Sequence, residues 1–516
     1  MEIPNFFTHP TTHYYFEYFK QLLNPSGGLT DFGDSEWQSS LHLYVAIFAR
    51  GAKEFQDPEL QWAMERAFET LQPKRPKLFV DESMISTYFW LDDSLESRQP
   101  IARSGDLLDE LVGKKIVFRS GWEPHSTFLL LNYKPETDFG YTQRENIKNT
   151  LSVEAEKAHH GHSDENAICL LMHNQSVLLH EGGYRENLPN GKYRADYYHN
   201  KLVFREKPLA PNTPIMDFLK YSGKHQPVET VKIDFKAFDP VEFSRTRMID
   251  PTHGYISDRG IVYLKELDWF VVFDTVKILP KNGRTEAREI SLSNLFFTRQ
   301  ILAQGANYFD TRIDQLRENP MPDTARLLIY FPQAGQNGIW AGTQETRRYY
   351  QDEMVVHQSL SQQAVSGEFF TFITVLIPHA PGADLNSLLQ SIKIPAVDQF
   401  PEAAALEIKL NGQKRIFGMK LNLEAELLEE NIRPRYNWDS GKTVYGEVET
   451  DARFFYCNEQ HNLLYFCLTE AVKLNYNQQT VFAAKSTAWP LQYSGEETQL
   501  GTCKWRCWEN TVTLSK

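Results

Sequence analysis

Hydrophobic and polar positions change rhythm near residue 96. Before it, apolar residues recur at mixed three- and four-residue spacings, the pattern of helices with one buried face. Tyr14 to Leu23 (YYFEYFKQLL) is such a run, stopped by the breaker NPSGG. Ser35 to Ala52 predicts a second helix, with Ser35 as N-cap and Gly51 near its end. Asp57 to Leu71 predicts a third, with Asp57 as cap and Pro58 at the first helical position. Three or four such helices are too few for a large helical domain and read as the last hairpins of one.

After 96 the pattern becomes short apolar runs between closely spaced turn residues, which predicts strands. Lys115 to Arg119 and Thr127 to Tyr133 are the first two. Ala167 to Met172 and Val177 to Leu179, about a polar turn at His173 to Ser176, predict a hairpin, and Leu202 to Phe204 a further strand. Ile261 to Ile278 predicts two strands about a Glu266-Leu267-Asp268 turn, and Leu327 to Phe331 and Phe369 to Ile377 continue the pattern. Helical pieces are expected only near 105–112 and 384–392. Loop residues crowd Pro381 to Pro401 and mark a boundary. Beyond it, Leu406 to Leu410, Lys414 to Met419, Thr443 to Val448, Phe454 to Tyr456, Leu463 to Leu468 and Lys504 to Trp508 predict a smaller antiparallel sheet. Strands that follow one another without intervening helices indicate sandwiches rather than a parallel α/β sheet. The expected class is α+β, mostly β. Its expected domains are a helical segment (1–95), a large antiparallel β-sandwich (96–385) and a C-terminal antiparallel β domain (386–516).

Composition narrows the function classes. The chain has 516 residues, 41% hydrophobic and 23% charged, enough for a substantial core and two or three domains. Aromatics at 13% favour strands and also suit sugar-stacking surfaces. A net charge of −13 with no basic run argues against a nucleic-acid or membrane-surface protein. An acidic polysaccharide would need a local basic patch on such a molecule. Five cysteines include no CxxC pair; four lie near the C-terminus, which allows one disulfide without implying it. MEIPNFFTHPTTHYY lacks the basic start and apolar core of a signal peptide, and no apolar stretch is long enough for a bilayer. A soluble chain without an export address is the expectation, with its compartment and oligomeric state open.

The candidate chemistry lies between His160 and Asn200. An HxHxD run (His160, His162, Asp164) leads into the predicted hairpin, which ends in His180, Glu181, Gly182 and Gly183. His199 enters the next strand. Alternation along an extended chain puts His160 and His162 on one face. Imidazoles and a carboxylate gathered at strand ends suit a divalent metal of the zinc kind. One by one these are ordinary strand-end histidines and a turn glutamate; the ordered set is what points to a site.

This stretch resembles the heparinase II/III family of polysaccharide lyases. The family pattern is an HxHxD run, a strand, a small-residue turn, a hydrophobic-acidic-x-Gly segment and a later His-Asn before a strand. The resemblance implies that His162, Glu181 and His199 are metal ligands, with Glu181 where the family usually has Asp, and that His160 faces the substrate. It extends to Arg119-Ser120-Gly121-Trp122 and to Phe32-Gly33-Asp34-Ser35, the latter typical of the end of an (α/α) toroid. It also covers His13 to Tyr18, where Tyr15 fits the catalytic tyrosine best and Tyr14 competes. By resemblance, Tyr15 is base and acid in a β-elimination on a uronic-acid polysaccharide. His160 assists it, Arg119 meets a substrate acid group, and a zinc-like ion is structural. In the family the residue that neutralises the substrate carboxylate lies well upstream of the tyrosine. Only fourteen residues precede Tyr15 here, so a shortened toroid is expected, and with it the prospect of an inactive chain.

Two other readings stay open. His162, Asp164 and His199 also form the 2-His-1-carboxylate set of non-haem iron oxygenases, and the segment partly echoes cupin motifs, although Glu165 stands one residue too close for that match. The short helical region is equally compatible with a non-catalytic carbohydrate-binding or scaffold sandwich.

Overall fold

Asp57 begins its helix as the sequence predicts. Its Oδ1 accepts from the main-chain N–H groups of Glu59 (2.8 Å) and Leu60 (3.3 Å), and Pro58 opens the helix. The structure, a computed structural model, describes residues 6–30, 32, 33, 35, 37, 41–71, 82–107, 113–134, 162–181, 195–222, 228–316, 319–348, 352–398, 402–422, 424–428, 431–437, 441–460, 463–488, 491–493, 506 and 507. Its helical end comprises α1 (Pro10–Gln21), α2 (Leu41–Phe55), α3 (Pro58–Leu71) and α4 (Glu82–Trp90). Two sequence expectations change here. Ser35 is not the cap of α2; its hydroxyl donates to the Phe32 carbonyl (2.8 Å) and closes the turn before it. The helix runs on to Phe55, past the expected end at Ala52, so Gly51 lies inside it. A Cβ there would come within 2.4 Å of the Phe16 ring and 3.0 Å of Leu60, so glycine permits the close approach of the three helices.

The helices pack on a five-stranded antiparallel sheet ordered β1 (Gly105–Leu107), β2 (Lys115–Arg119), β3 (Phe128–Asn132), β4 (Ala167–His173) and β5 (Ser176–His180). One face, with Val117, Phe128, Leu130 and Met172, shares a core with Phe48, Leu60 and Ala63 of the helices. The other face, with Phe118, Leu129 and Leu131, meets the next sheet. Burial on both faces explains why these strands read as unbroken apolar runs rather than alternation. The first strand lies where a helical piece near 105–112 is expected; 108–112 lie outside the described residues.

The chain continues through β6 (Leu202–Arg205), β7 (Glu229–Ala237), β8 (Val241–Asp250), β9 (Tyr255–Leu264), β10 (Trp269–Ile278), β11 (Arg288–Thr298), β12 (Gln300–Gln304) and β13 (Tyr308–Arg312). A two-residue pair, β14 (Gln315–Leu316) and β15 (Asn319–Pro320), precedes β16 (Arg326–Tyr330), β17 (Trp340–Thr346), β18 (Glu353–Ala364) and β19 (Phe369–His379). Eight of these form a sheet ordered β12-β13-β16-β19-β10-β9-β8-β7, and four form a second, β17-β18-β11-β6. Both the five- and the four-stranded sheet contribute to cores with the eight-stranded one. A helix at Ile215–Ser222, not expected from the sequence, covers the four-stranded sheet through Ile215, Met216 and Leu219.

Past residue 390 the strands form a seven-stranded, a four-stranded and a two-stranded sheet. Phe243 and Phe273 of the eight-stranded sheet meet Phe417 and Tyr456 of the seven-stranded one. The expected single run Thr443 to Val448 is instead a hairpin, Thr443–Tyr445 with Val448–Thr450, bent at Gly446 (φ 63°). The expected piece near 384–392 is a short helix, Leu385–Gln390, capped by Asp384. The last expected strand is described at Arg506–Cys507; 503–505 and 508 lie outside the described residues. Cys457 and Cys467, on neighbouring strands, are buried free thiols. No helix among the described residues is long and apolar enough to cross a membrane.

Candidate functional site

The hairpin β4–β5 turns through Asn174 and Gln175, both with positive φ (47° and 67°), between the paired residues His173 and Ser176. Two residues at positive φ form the tight turn whose twist matches antiparallel strands. The far end of the same hairpin holds the candidate ligands. His162 lies shortly before β4 and Glu181 directly after β5, its N–H bonded to the Cys169 carbonyl (2.8 Å). His199 follows a single 3-10 turn, Asp196–Tyr198, that leads into β6. Eighteen residues apart in sequence, Glu181 and His199 meet through Oε1 and Nδ1, and the rings of His162 and His199 stand 5.7 Å apart. All three side chains are buried.

Burial pushes the His199 pKa well below its ordinary value, and the neighbouring His162, Lys201 and Arg348 push it the same way. The set is two imidazoles and one carboxylate near strand ends, with the carboxylate against a ring nitrogen of His199. Two imidazoles and a carboxylate are donor types that zinc takes, but among the described residues the group whose donor atoms all lie within 4.8 Å of one another is a different one, His13, Glu17 and Asp57.

A shell of main-chain contacts holds these segments in place. The Asn200 amide donates to the carbonyls of Ile168 (2.9 Å) and His180 (3.2 Å) and accepts from the Phe297 N–H (2.7 Å). The Lys201 ammonium donates to the Ser163 carbonyl and to Glu165, both at 2.9 Å. Arg259 of β9 pairs with Asp274 (2.7 and 2.9 Å) and donates to the carbonyls of Asn166 and Asn200. Arg348 donates to the carbonyls of His180, Glu181 and Tyr198. The sequence marks Asn200 by its place beside His199. It offers no signal for Arg259 or Arg348, whose partners at the site lie 59 or more positions away in sequence.

The other expected residues stand as follows. His160 lies outside the described residues. Tyr15 is half-buried on α1, and Tyr14 beside it is 61% exposed. Arg119, expected to meet a substrate acid group, is enclosed; its Nη2 donates to the carbonyls of Leu23 (2.6 Å) and Gln21 (3.1 Å) at the end of α1. Its guanidinium lies 3.6 Å from the centre of the Trp122 ring, and burial pushes its pKa down to about 9. Glu165, the cupin-like acid, is bonded to Lys201, and Asp164 offers its carbonyl to the Asn132 amide (3.2 Å). The Trp37 ring meets that of His180 edge-on at 6.0 Å, which brings the segment after the FGDS turn against the end of the hairpin. A second cluster, His13, Glu17 and Asp57, joins α1 to α3, with His13 Nε2 3.1 Å from Asp57.

No family model matches this chain, and no curated protein resembles it in sequence. Solved structures do. A crystal structure of heparinase III is 15% identical and covers 81% of this chain and 55% of its own, with a TM-score of 0.52. A heparan sulfate lyase from Pedobacter heparinus is 14% identical over 78% of this chain and 51% of its own (TM-score 0.48). Another heparinase III gene product, at 14% identity, covers 78% and 52% (TM-score 0.49). The chain thus spans about half the length of the solved structures it matches. Its helices and stacked antiparallel sheets take the fold of heparinase III, in agreement with the resemblance read from the sequence.

Proposed function

We propose that this chain is the sandwich-bearing part of a polysaccharide lyase that cleaves a uronic-acid-containing acidic polysaccharide by β-elimination. The observation that carries the proposal is the convergence of His162, Glu181 and His199 at the end of the β4–β5 hairpin, on a heparinase III fold. In this reading the three residues would hold a zinc-like ion, whose charge would tie together the segments that carry them. The chain's own residues do the chemistry. The Tyr15 phenolate takes the proton from C5 beside the substrate carboxylate. The C4–O4 bond breaks as the C4–C5 double bond forms, and the same phenol returns the proton to the leaving O4. His160 helps to bind the sugar acid group.

One observation favours a second reading, a carbohydrate-binding sandwich that does not cleave. Arg119, the cation expected to meet a substrate acid group, bonds main-chain carbonyls instead.

Mass spectrometry of the products from a defined uronic oligosaccharide separates these readings. Elimination yields two fragments whose masses sum to that of the substrate, one of them an unsaturated uronate. Hydrolysis would add one water. Retention of the oligosaccharide without any fragment supports the binding module.

A further inference from the structure

Arg348 follows β17 and is 2% exposed, enclosed at the four-stranded sheet. Its Nη1 donates to the carbonyls of Glu181 (2.7 Å) and Tyr198 (2.8 Å), and its Nη2 to that of His180 (2.9 Å). These carbonyls belong to two separate segments: one carries Glu181, the other leads directly into His199. The guanidinium itself is anchored by Glu353 at the start of β18, at 2.8 Å from Nη2 and 3.2 Å from Nε. Its carbon lies 4.0 Å from the centre of the Phe297 ring. A planar group held on one edge by a carboxylate and on one face by a ring has no freedom left. Its remaining N–H groups therefore set the spacing of the two segments to which they bond.

We propose that Arg348, locked by Glu353, is the positioning residue that brings the Glu181 and His199 segments together and so presents both side chains to a metal ion. The inference rests on the reading of His162, Glu181 and His199 as a metal site and adds to it a residue from a different sheet. A lysine at 348 keeps the charge opposite Glu353 but cannot serve both segments at once, because its donors diverge from one nitrogen. Groups that orient metal ligands from behind typically account for about 10- to 100-fold in affinity.

The test is a chelator-competition titration of the full chain with Zn²⁺, and with Co²⁺ for its visible spectrum, in wild type, His162→Ala, Arg348→Lys and Glu353→Gln. The expected result is Zn²⁺ binding by wild type, its loss in His162→Ala, and a roughly 10- to 100-fold weakening in Arg348→Lys. The Co²⁺ spectrum of Arg348→Lys should shift while its metal-free melting stays cooperative. Glu353→Gln, which keeps the three carbonyl bonds but loosens their anchor, should weaken binding in the same direction and keeps the test open if Arg348→Lys does not fold. Wild-type affinity and an unchanged Co²⁺ spectrum in the folded variants overturn the role of Arg348 while leaving the metal site intact. No Zn²⁺ binding by wild type overturns both.

Discussion

Arg119 of β2 donates to the Leu23 carbonyl at 2.6 Å, so a guanidinium rooted in the first sheet closes the C-terminal end of α1. The helix that bears Tyr15 is thereby tied to the sheet that bears the candidate ligands. Replacing Arg119 by Met removes the bonds to Leu23 and Gln21 and leaves those buried carbonyls unserved. The expected cost is about 2–4 kcal/mol. Denaturant unfolding measures it, and hydrogen exchange should show the amides of α1 released more than those of β3 or β4.

His162→Ala and His199→Ala should each remove bound metal from the purified protein and lower its melting temperature. Treatment of wild type with a strong chelator should lower the melting temperature in the same way, and added Zn²⁺ should restore it. Metal analysis beside thermal melting checks all three. An unchanged metal content in His162→Ala would remove this site from the account.

Beneath the site, Asp274 pairs with the guanidinium of Arg259 (2.7 and 2.9 Å) and also accepts from the Asn294 amide (2.7 Å). Asp274→Ala strands a buried cation whose other partners are neutral. A loss of about 3–5 kcal/mol is expected, read from denaturant midpoints.

Acid sensitivity should come in part from His357. Burial lowers its pKa to about 4; its Nδ1 faces the Ser359 hydroxyl (2.8 Å), and its ring lies close against Gly342. The unfolded chain takes up this proton near pH 6.5, the folded protein only near 4. Stability from this group is therefore complete above about pH 6.5 and declines as pH falls towards 4, by roughly 3 kcal/mol in total. Below 4 the loss levels off. His357→Gln should flatten that part of the stability–pH curve, which urea midpoints at successive pH values would show.

The sequence and the fold agree where one local rule acts alone. Asp57-Pro58 names its own helix start, and the run Lys115 to Arg119 is a strand with those bounds because a run that short, flanked by turn residues, is too short for a helix. The order of His162, Glu181 and His199 about a hairpin was likewise legible, since each lies at the end of a strand-like run. What was not legible depends on distant partners. Gly51 reads as a residue near a helix end, and its packing role shows only when Phe16 is seen pressed against it. Arg119 reads as a cation awaiting a ligand until the carbonyls of Gln21 and Leu23 are found in front of it. The helix Ile215–Ser222 is only eight residues long and owes its burial to Leu295, Phe297 and Val355, far along the chain. Arg348 carries no local signal, because its carbonyl partners lie 150 to 168 residues away.

The most direct test of the lyase reading is absorbance in the unsaturated-uronate band while the zinc-loaded protein meets a panel of uronic polysaccharides. The account predicts a rise with at least one of them, abolished by Tyr15→Phe in a variant that melts and binds Zn²⁺ like wild type. No rise with any polysaccharide, or a rise that survives Tyr15→Phe, would contradict it.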